Sequence, residues 1–200
     1  HPAKDGLSPT TSWSSWHKPQ GGCLIEEELA AVGIGRPDLV IGWWAVPTIL
    51  EHGSAEQIER FATPTLKGEI TWCQLFSEPG AGSDLAALRT TAEKVDGGWK
   101  LNGQKVWTSL AREADWAICL ARTDREVPKH KGITYFLLDM KTAGIRISPL
   151  REITGDALFN EVFLDDVFVP DECVVGQLGI FLVFILVLLV RPTGLFGARA

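Results

Sequence analysis

The sequence predicts an α+β fold, an N-terminal helical layer followed by an antiparallel β-barrel or sandwich. Three observations predict it. Up to about residue 68, apolar residues recur at helical spacing and are punctuated by Gly, Pro and cap residues. From about Glu69 the period changes to short apolar runs of five to seven residues. Turn pairs, Asp96-Gly97-Gly98 and Asn102-Gly103, then separate those runs.

Each element can be justified in chain order. Residues 1–20 are rich in Ser, Thr and Pro and read as irregular. Cys23–Val32 reads as a helix, with Ile25, Leu29 and Val32 on one face and Glu26–Glu28 towards solvent; Gly33 and Gly35 end it. Pro37 opens a second helix through Leu39–Trp44, which Pro47 kinks or breaks before Gly53 closes the segment. Ser54 and Gln57 have the form of a capping box, so a short helix is expected to about Phe61, with Pro64 at its exit.

In the second half, the two turn pairs read as hairpin signals bracketing a short strand, Trp99–Leu101. Trp116–Ala121, Ile133–Leu138, Ile145–Ile147 and Phe159–Leu164 fit further strands, six to eight in all. Arg122–Gly132 is charged, carries Pro128 and is expected to be a mobile surface loop. Three domains follow: 1–68 helical, 69–176 β, and 177–200 an apolar tail. Within that tail, Leu178–Val190 is unbroken apolar sequence, shorter than the ~20 residues needed to span a bilayer. It fits either a membrane-associating segment or a buried helix or strand.

Composition excludes several function classes. A formal net charge of −6 argues against a nucleic-acid surface. Local basic residues (Arg89, Lys94, Lys100, Lys105) could still meet an anionic cofactor. Cys23, Cys73, Cys119 and Cys173 stand far apart and His1, His17, His52 and His130 are scattered, which argues against a metal site. The cysteines read as buried thiols in a reducing compartment, the cytoplasm. No basic segment followed by an apolar one marks a signal peptide at the N-terminus.

The chemistry concentrates in residues 74–84, Gln-Leu-Phe-Ser-Glu-Pro-Gly-Ala-Gly-Ser-Asp. An apolar strand runs into a hydroxyl, an acid, a proline and two glycines flanking Ala81. Gly80 and Gly82 can take positive φ and admit a close backbone approach, and Asp84 suits a helix start or turn cap. Amides beside small residues suit a phosphate or pyrophosphate; the alternative is an ordinary glycine turn.

Two further stretches follow: Asn102-Gly103-Gln104-Lys105-Val106-Trp107-Thr108-Ser109, and Phe159-Asn160-Glu161-Val162-Phe163-Leu164-Asp165-Asp166-Val167-Phe168-Val169-Pro170. In this order, the three resemble the middle β-domain of the acyl-CoA dehydrogenases, FAD-dependent enzymes that desaturate acyl-CoA thioesters. Leu24–Leu29 and His52–Gln57 resemble late helices of that family's N-terminal domain, so the resemblance covers about residues 21–176. The tail does not match the family's C-terminal helical domain, which is expected to be missing from a chain that reads as a fragment. Arg191–Gly197 loosely resembles the end of a bacterial branched-chain amino-acid permease subunit.

What the resemblance implies is an FAD site. Backbone amides of Gln74, Leu75 and Phe76 and the hydroxyl of Ser77 would face the flavin ring. Gly82 and Ser83 would lie at the pyrophosphate, with Ser83 also towards acyl-CoA. Trp107 would lie against the isoalloxazine, and Thr108 and Ser109 at its N5 and C4-carbonyl edge. For Ser77 the alternative is a strand-end hydroxyl, and for Trp107 a plain core tryptophan. Glu78 reads as ordering the loop. The family's proton-abstracting glutamate comes from the C-terminal domain, so no catalytic residue is assigned and the chain is expected to be inactive alone. An electron-transfer flavoprotein and homo-oligomeric partners are implied in the same way. The alternatives are an acyl-CoA oxidase or flavin-dependent oxygenase of the same fold, or a non-catalytic membrane-associated module.

Overall fold

A computed structural model describes residue 31, residues 40–153 and residues 155–177. The irregular stretch 1–20, the helix over Cys23–Val32, the helix start at Pro37 and the apolar run from Leu178 lie outside the described residues. From Val40 onward the described residues belong to one unit.

Helix α1 spans Gly42–His52 and buries Ala45, Val46 and Ile49 on one side. The break expected at Pro47 does not occur. The helix runs on to His52, and the Gly53 amide closes its end on the Ile49 carbonyl at 2.8 Å. The capping box is present: Ser54 Oγ accepts from the Gln57 amide at 3.2 Å, and Gln57 Oε1 accepts from the Ser54 amide at 3.0 Å. It starts α2 (Ala55–Gln57), which widens into a π-turn over Ile58–Ala62 and continues as α3 (Thr63–Leu66). The helix therefore outlasts the expected end at Phe61. Pro64 lacks an N–H, and its ring crowds the carbonyl four residues back; the wider π-turn lies immediately before it.

Among the described residues eight strands follow: β1 Trp72–Leu75, β2 Thr91–Val95, β3 Gly98–Ser109, β4 Trp116–Arg122, β5 Ile133–Asp139, β6 Ile145–Leu150, β7 Phe159–Pro170 and β8 Val174–Gln177. Their order in the sheet is β6-β7-β3-β2-β4-β5-β8, with β1 also on β4. The α+β class stands, but the expected all-antiparallel sheet is mixed. β1 runs parallel to β4, Trp72 opposite Trp116 through Leu75 opposite Cys119, and β2 meets β4 in parallel at Thr91 and Arg122. Both can share one edge of β4 because β1 is only four residues long.

Asp96-Gly97 does turn the chain from β2 into β3, with Gly97 at φ 72°. Asn102-Gly103 does not. β3 continues through it, and the irregularity there is a bulge between Leu101 and Gly103 against β7. Gly103 is needed for another reason: a Cβ there would run into Thr90.

The sheet curves onto itself, so that Trp99 of β3 meets Phe136 of β5 edge to face at 5.9 Å. One apolar core includes Leu75, Leu101, Ile118, Leu120, Phe136, Leu137 and Val162. The helical stretch docks through aromatic rings, with Phe61 4.8 Å from Trp116 and 5.7 Å from Trp72. Trp72 Nε1 donates to Thr65 Oγ1 at 2.8 Å, which in turn donates to the Phe61 carbonyl at 2.7 Å. Gln57 Nε2 donates to the carbonyls of Glu172 and Val174, latching α2 to the start of β8. The buried polar groups of Thr65, Trp72 and Gln57 are thus paired, as burial without a partner is costly.

Candidate functional site

Where β1 ends, residues 76–83 and the far end of β3 come together. The Val106 amide donates to the Ser77 carbonyl at 2.9 Å. One residue before it, the Lys105 side chain is fully buried, and its Nζ donates to Glu78 Oε1 at 2.8 Å, Leu120 O at 2.8 Å and Phe76 O at 3.2 Å. Glu78 also accepts from the amides of Arg89 (2.6 Å) and Thr90 (2.9 Å). Burial pushes the Glu78 carboxyl up; the Lys105 charge and these hydrogen bonds outweigh it and hold it below its ordinary value. This carboxylate orders the loop.

The turn itself is short. Glu78 and Ala81 exchange both backbone hydrogen bonds, 2.9 and 3.0 Å, with Pro79 and Gly80 at the corner. Neither Gly80 nor Gly82 takes positive φ, contrary to the expected use of these glycines. A Cβ on either would meet nothing within 4 Å, so the chain leaves open space beside both backbones. Among the described residues no backbone acceptor takes the amides of Gly82 or Ser83, and both residues are exposed. Asp84 begins the 3₁₀ turn Leu85–Ala87 without a side-chain cap; its carboxylate pairs with Lys129 at 2.7 Å instead.

Trp107 departs most from an ordinary strand residue. A register shift against β7 between Lys105 and Thr108 puts it in a bulge, with φ 61° in the left-handed region and the side chain 62 % exposed. The plain core tryptophan is therefore excluded. Phe159 supports its indole edge to face at 5.9 Å. Thr108 is buried opposite Asn160, whose Nδ2 donates to the Thr108 carbonyl at 3.0 Å. The Thr108 hydroxyl and Asn160 Oδ1 are buried without a partner among the described residues. Ser109 is half-buried at the strand end.

Ser77 is thus tied to Val106, the residue before Trp107, and Thr108 and Ser109 follow on the same strand. Gln74, half-buried on β1, and Phe76, 6.3 Å from the Tyr135 ring, lead into the same turn. Gly82 and Ser83 join the group through that turn, not through a contact of their own. The basic residues separate from it: Lys105 is internal, Lys94 pairs with Asp171 and Lys100 with Asp166. Arg89 lines a cleft of about 330 Å³ with Arg122, Arg125 and Lys129, and Lys94 lines another of about 430 Å³ with Trp99, Arg122 and Arg125. Arg122 ties the loop after β4 by donating to the carbonyls of Ala86 (2.6 Å), Leu88 (3.2 and 3.3 Å) and Lys129 (2.9 Å). Phe159 and Asn160 carry no role in the sequence reading, and Lys105, there one of four cations that could meet an anionic cofactor, is instead enclosed in the core.

The family described as acyl-CoA dehydrogenase, middle domain, matches residues 73–167, which span the turn, the Trp107 bulge and most of β7. Acyl-CoA dehydrogenase FadE34 of Mycobacterium tuberculosis is 72% identical over 156 residues, covering 78% of this chain and 22% of the relative. The chain belongs to the acyl-CoA dehydrogenase family. Among solved structures, the ChsE4-ChsE5 complex from Mycobacterium tuberculosis superposes with TM-score 0.66 at 34% identity, over 78% of this chain and 42% of that one. A glutaryl-CoA dehydrogenase from Mycobacterium smegmatis in complex with FADH2 gives TM-score 0.59 at 28% identity, over 66% and 34%. The chain spans about a fifth of FadE34 and well under half of these structures. Among the described residues, no helix of this family member is long and apolar enough to cross a membrane.

Proposed function

We propose that residues 74–83 and 107–109 form the flavin-facing wall of an FAD-dependent acyl-CoA dehydrogenase acting on an acyl-CoA thioester. The observation that carries this is Trp107: an exposed indole held in a left-handed bulge beside Ser77. Such a conformation costs on the order of 1–3 kcal/mol and is kept where surrounding structure and use require it. The residues fit the group. A bare glycine-flanked turn offers the free amides of Gly82 and Ser83 to a diphosphate, and a flat apolar face stands beside hydroxyls for a planar ring. The family likeness, including a relative described with FADH2, supports the same cofactor.

When bound, the flavin supplies hydride acceptance from the substrate Cβ. The chain's own part is binding and orientation. Ser77 and the backbone of Gln74–Phe76 present donors to the ring edge where negative charge develops. Trp107 excludes water from one face, and Ser109 is the more accessible hydroxyl at the other edge, next to Thr108. Ser83 stands towards both diphosphate and acyl-CoA. Glu78 is not free to remove the substrate α-proton, being engaged by Lys105, Arg89 and Thr90. That carboxylate comes from outside the described residues, and the 200-residue chain alone binds flavin without turning over acyl-CoA. An electron-transfer flavoprotein would receive the electrons and further chains would complete the assembly. The free buried thiols Cys73, Cys119 and Cys173 suit a reducing compartment such as the cytoplasm.

Titrating the purified chain with FAD, followed by tryptophan quenching and the visible flavin band, tests the reading. Saturable uptake is expected, kept by Trp107→Phe and weakened about tenfold by Trp107→Ala, as loss of one aromatic stack implies. A folded chain that takes up no flavin overturns it.

A further inference from the structure

We infer that Lys105 and Glu78 form a buried clamp that positions the Ser77–Ser83 turn against the Trp107 bulge, so that the two walls of the site are set by one ion pair. This rests on the flavin reading above. The observations are geometric. Lys105 is completely enclosed and Glu78 nearly so, and their contact is 2.8 Å. Lys105 belongs to β3, two residues before Trp107, yet its ammonium donates to Phe76 O and Glu78 of the turn and to Leu120 O of β4. Glu78 reaches the other way, accepting from the Arg89 and Thr90 amides downstream of Ser83. The pair therefore holds both ends of residues 78–90 and the strand that carries the indole. Among the described residues, the backbone bond from Val106 N–H to Ser77 O also ties the two walls.

A buried ion pair is weak grounds for stability, because desolvation offsets much of the attraction, and an uncharged pair of similar size is often as stable. An aliphatic or amide pair would fill the same space. It would not donate to the Phe76 and Leu120 carbonyls, nor fix Glu78 against two amides at once. Geometry is what the charged pair adds, and small misplacements weaken a preorganised site strongly.

The test compares the full chain with Lys105→Met, Glu78→Gln and the double variant, in two measurements. The first sets thermal midpoint against FAD affinity and the visible flavin spectrum. Each single variant is expected to lower both stability and affinity, since it strands a buried charge. In the double variant the midpoint returns towards that of the unsubstituted chain, while affinity stays at least about tenfold weaker and the flavin band stays shifted. Recovery of both in the double variant, or a single variant that binds flavin with unchanged affinity and spectrum, overturns the clamp and leaves the flavin reading intact. The second measurement is hydrogen exchange without ligand. Residues 76–83 and 104–109 are expected to lose protection together in the double variant, while β4 and β5 keep theirs. Unchanged exchange in those two segments, or an even loss across the sheet, overturns it. Should the unsubstituted chain take up no FAD, the flavin reading fails and exchange alone decides the clamp.

Discussion

Trp107 shows what a single backbone angle can reveal. For any residue but glycine, φ near 60° brings Cβ against the following carbonyl, a penalty of roughly 1–2 kcal/mol. Trp107→Gly is therefore expected to be more stable than Trp107→Ala by about 1 kcal/mol, reversing the usual order in a strand. Denaturant titration of the two variants measures it, and both lose the indole. Glu78 gives a second expectation at this scale. Its carboxyl is held below its ordinary value of 4.5, so the stability it contributes is fully present above that pH. This contribution is lost as pH falls through the lower, folded value. Glu78→Gln should flatten the acid limb of the stability curve below about pH 4.5, measured as urea midpoints from neutral pH downward; an unchanged acid limb would remove Glu78 from the acid response.

Between elements, Gln57 has the widest reach of any helical residue described. It closes the capping box and donates to two carbonyls near β8, so Gln57→Ala should cost about 2–3 kcal/mol. Ser54→Ala, which removes only the cap, should cost about 1 kcal/mol. Equal losses would mean that the latch contributes nothing. That capping box was legible in sequence, as was the Asp96-Gly97 turn, because both are local: the partners lie within four residues. Asn102-Gly103 misled for the converse reason. The demand on Gly103 comes from Thr90, across the β2–β3 pair, and looks the same in sequence as a turn glycine. Pro64 misled because a π-turn absorbs a proline without ending the helix. The parallel pairing of β1 with β4, and the Lys105–Glu78 contact between residues 27 apart, leave no trace in spacing at all.

For the whole molecule, the site is assembled from segments that a family likeness could order but not orient. The three quoted stretches were legible and do converge, through β3 pairing with β7 and the β1 turn resting on Val106. That Trp107 faces outward and Thr108 inward was not legible, since a bulge shifts the alternation that sequence reading relies on. The closed core also governs thiol chemistry. Burial pushes the Cys119 thiol up to about 11 and raises Cys73 as well. Neither should react with iodoacetamide at pH 8 until denaturant opens the sheet, as peptide mass mapping would show; rapid labelling of either in the native chain would contradict the packing.

The placement of β1 bears on how the chain comes off the ribosome. Its partner in β4 is made about forty residues later, and synthesis at roughly 5–20 residues per second leaves an interval of seconds. Throughout that time Trp72 and the Phe61 ring lack the tryptophan of β4 that encloses them, and greasy surface stays open to passing chaperones. Pulse-labelled nascent chains halted before Trp116 should be captured by such holdases, and release should begin once β4 has emerged.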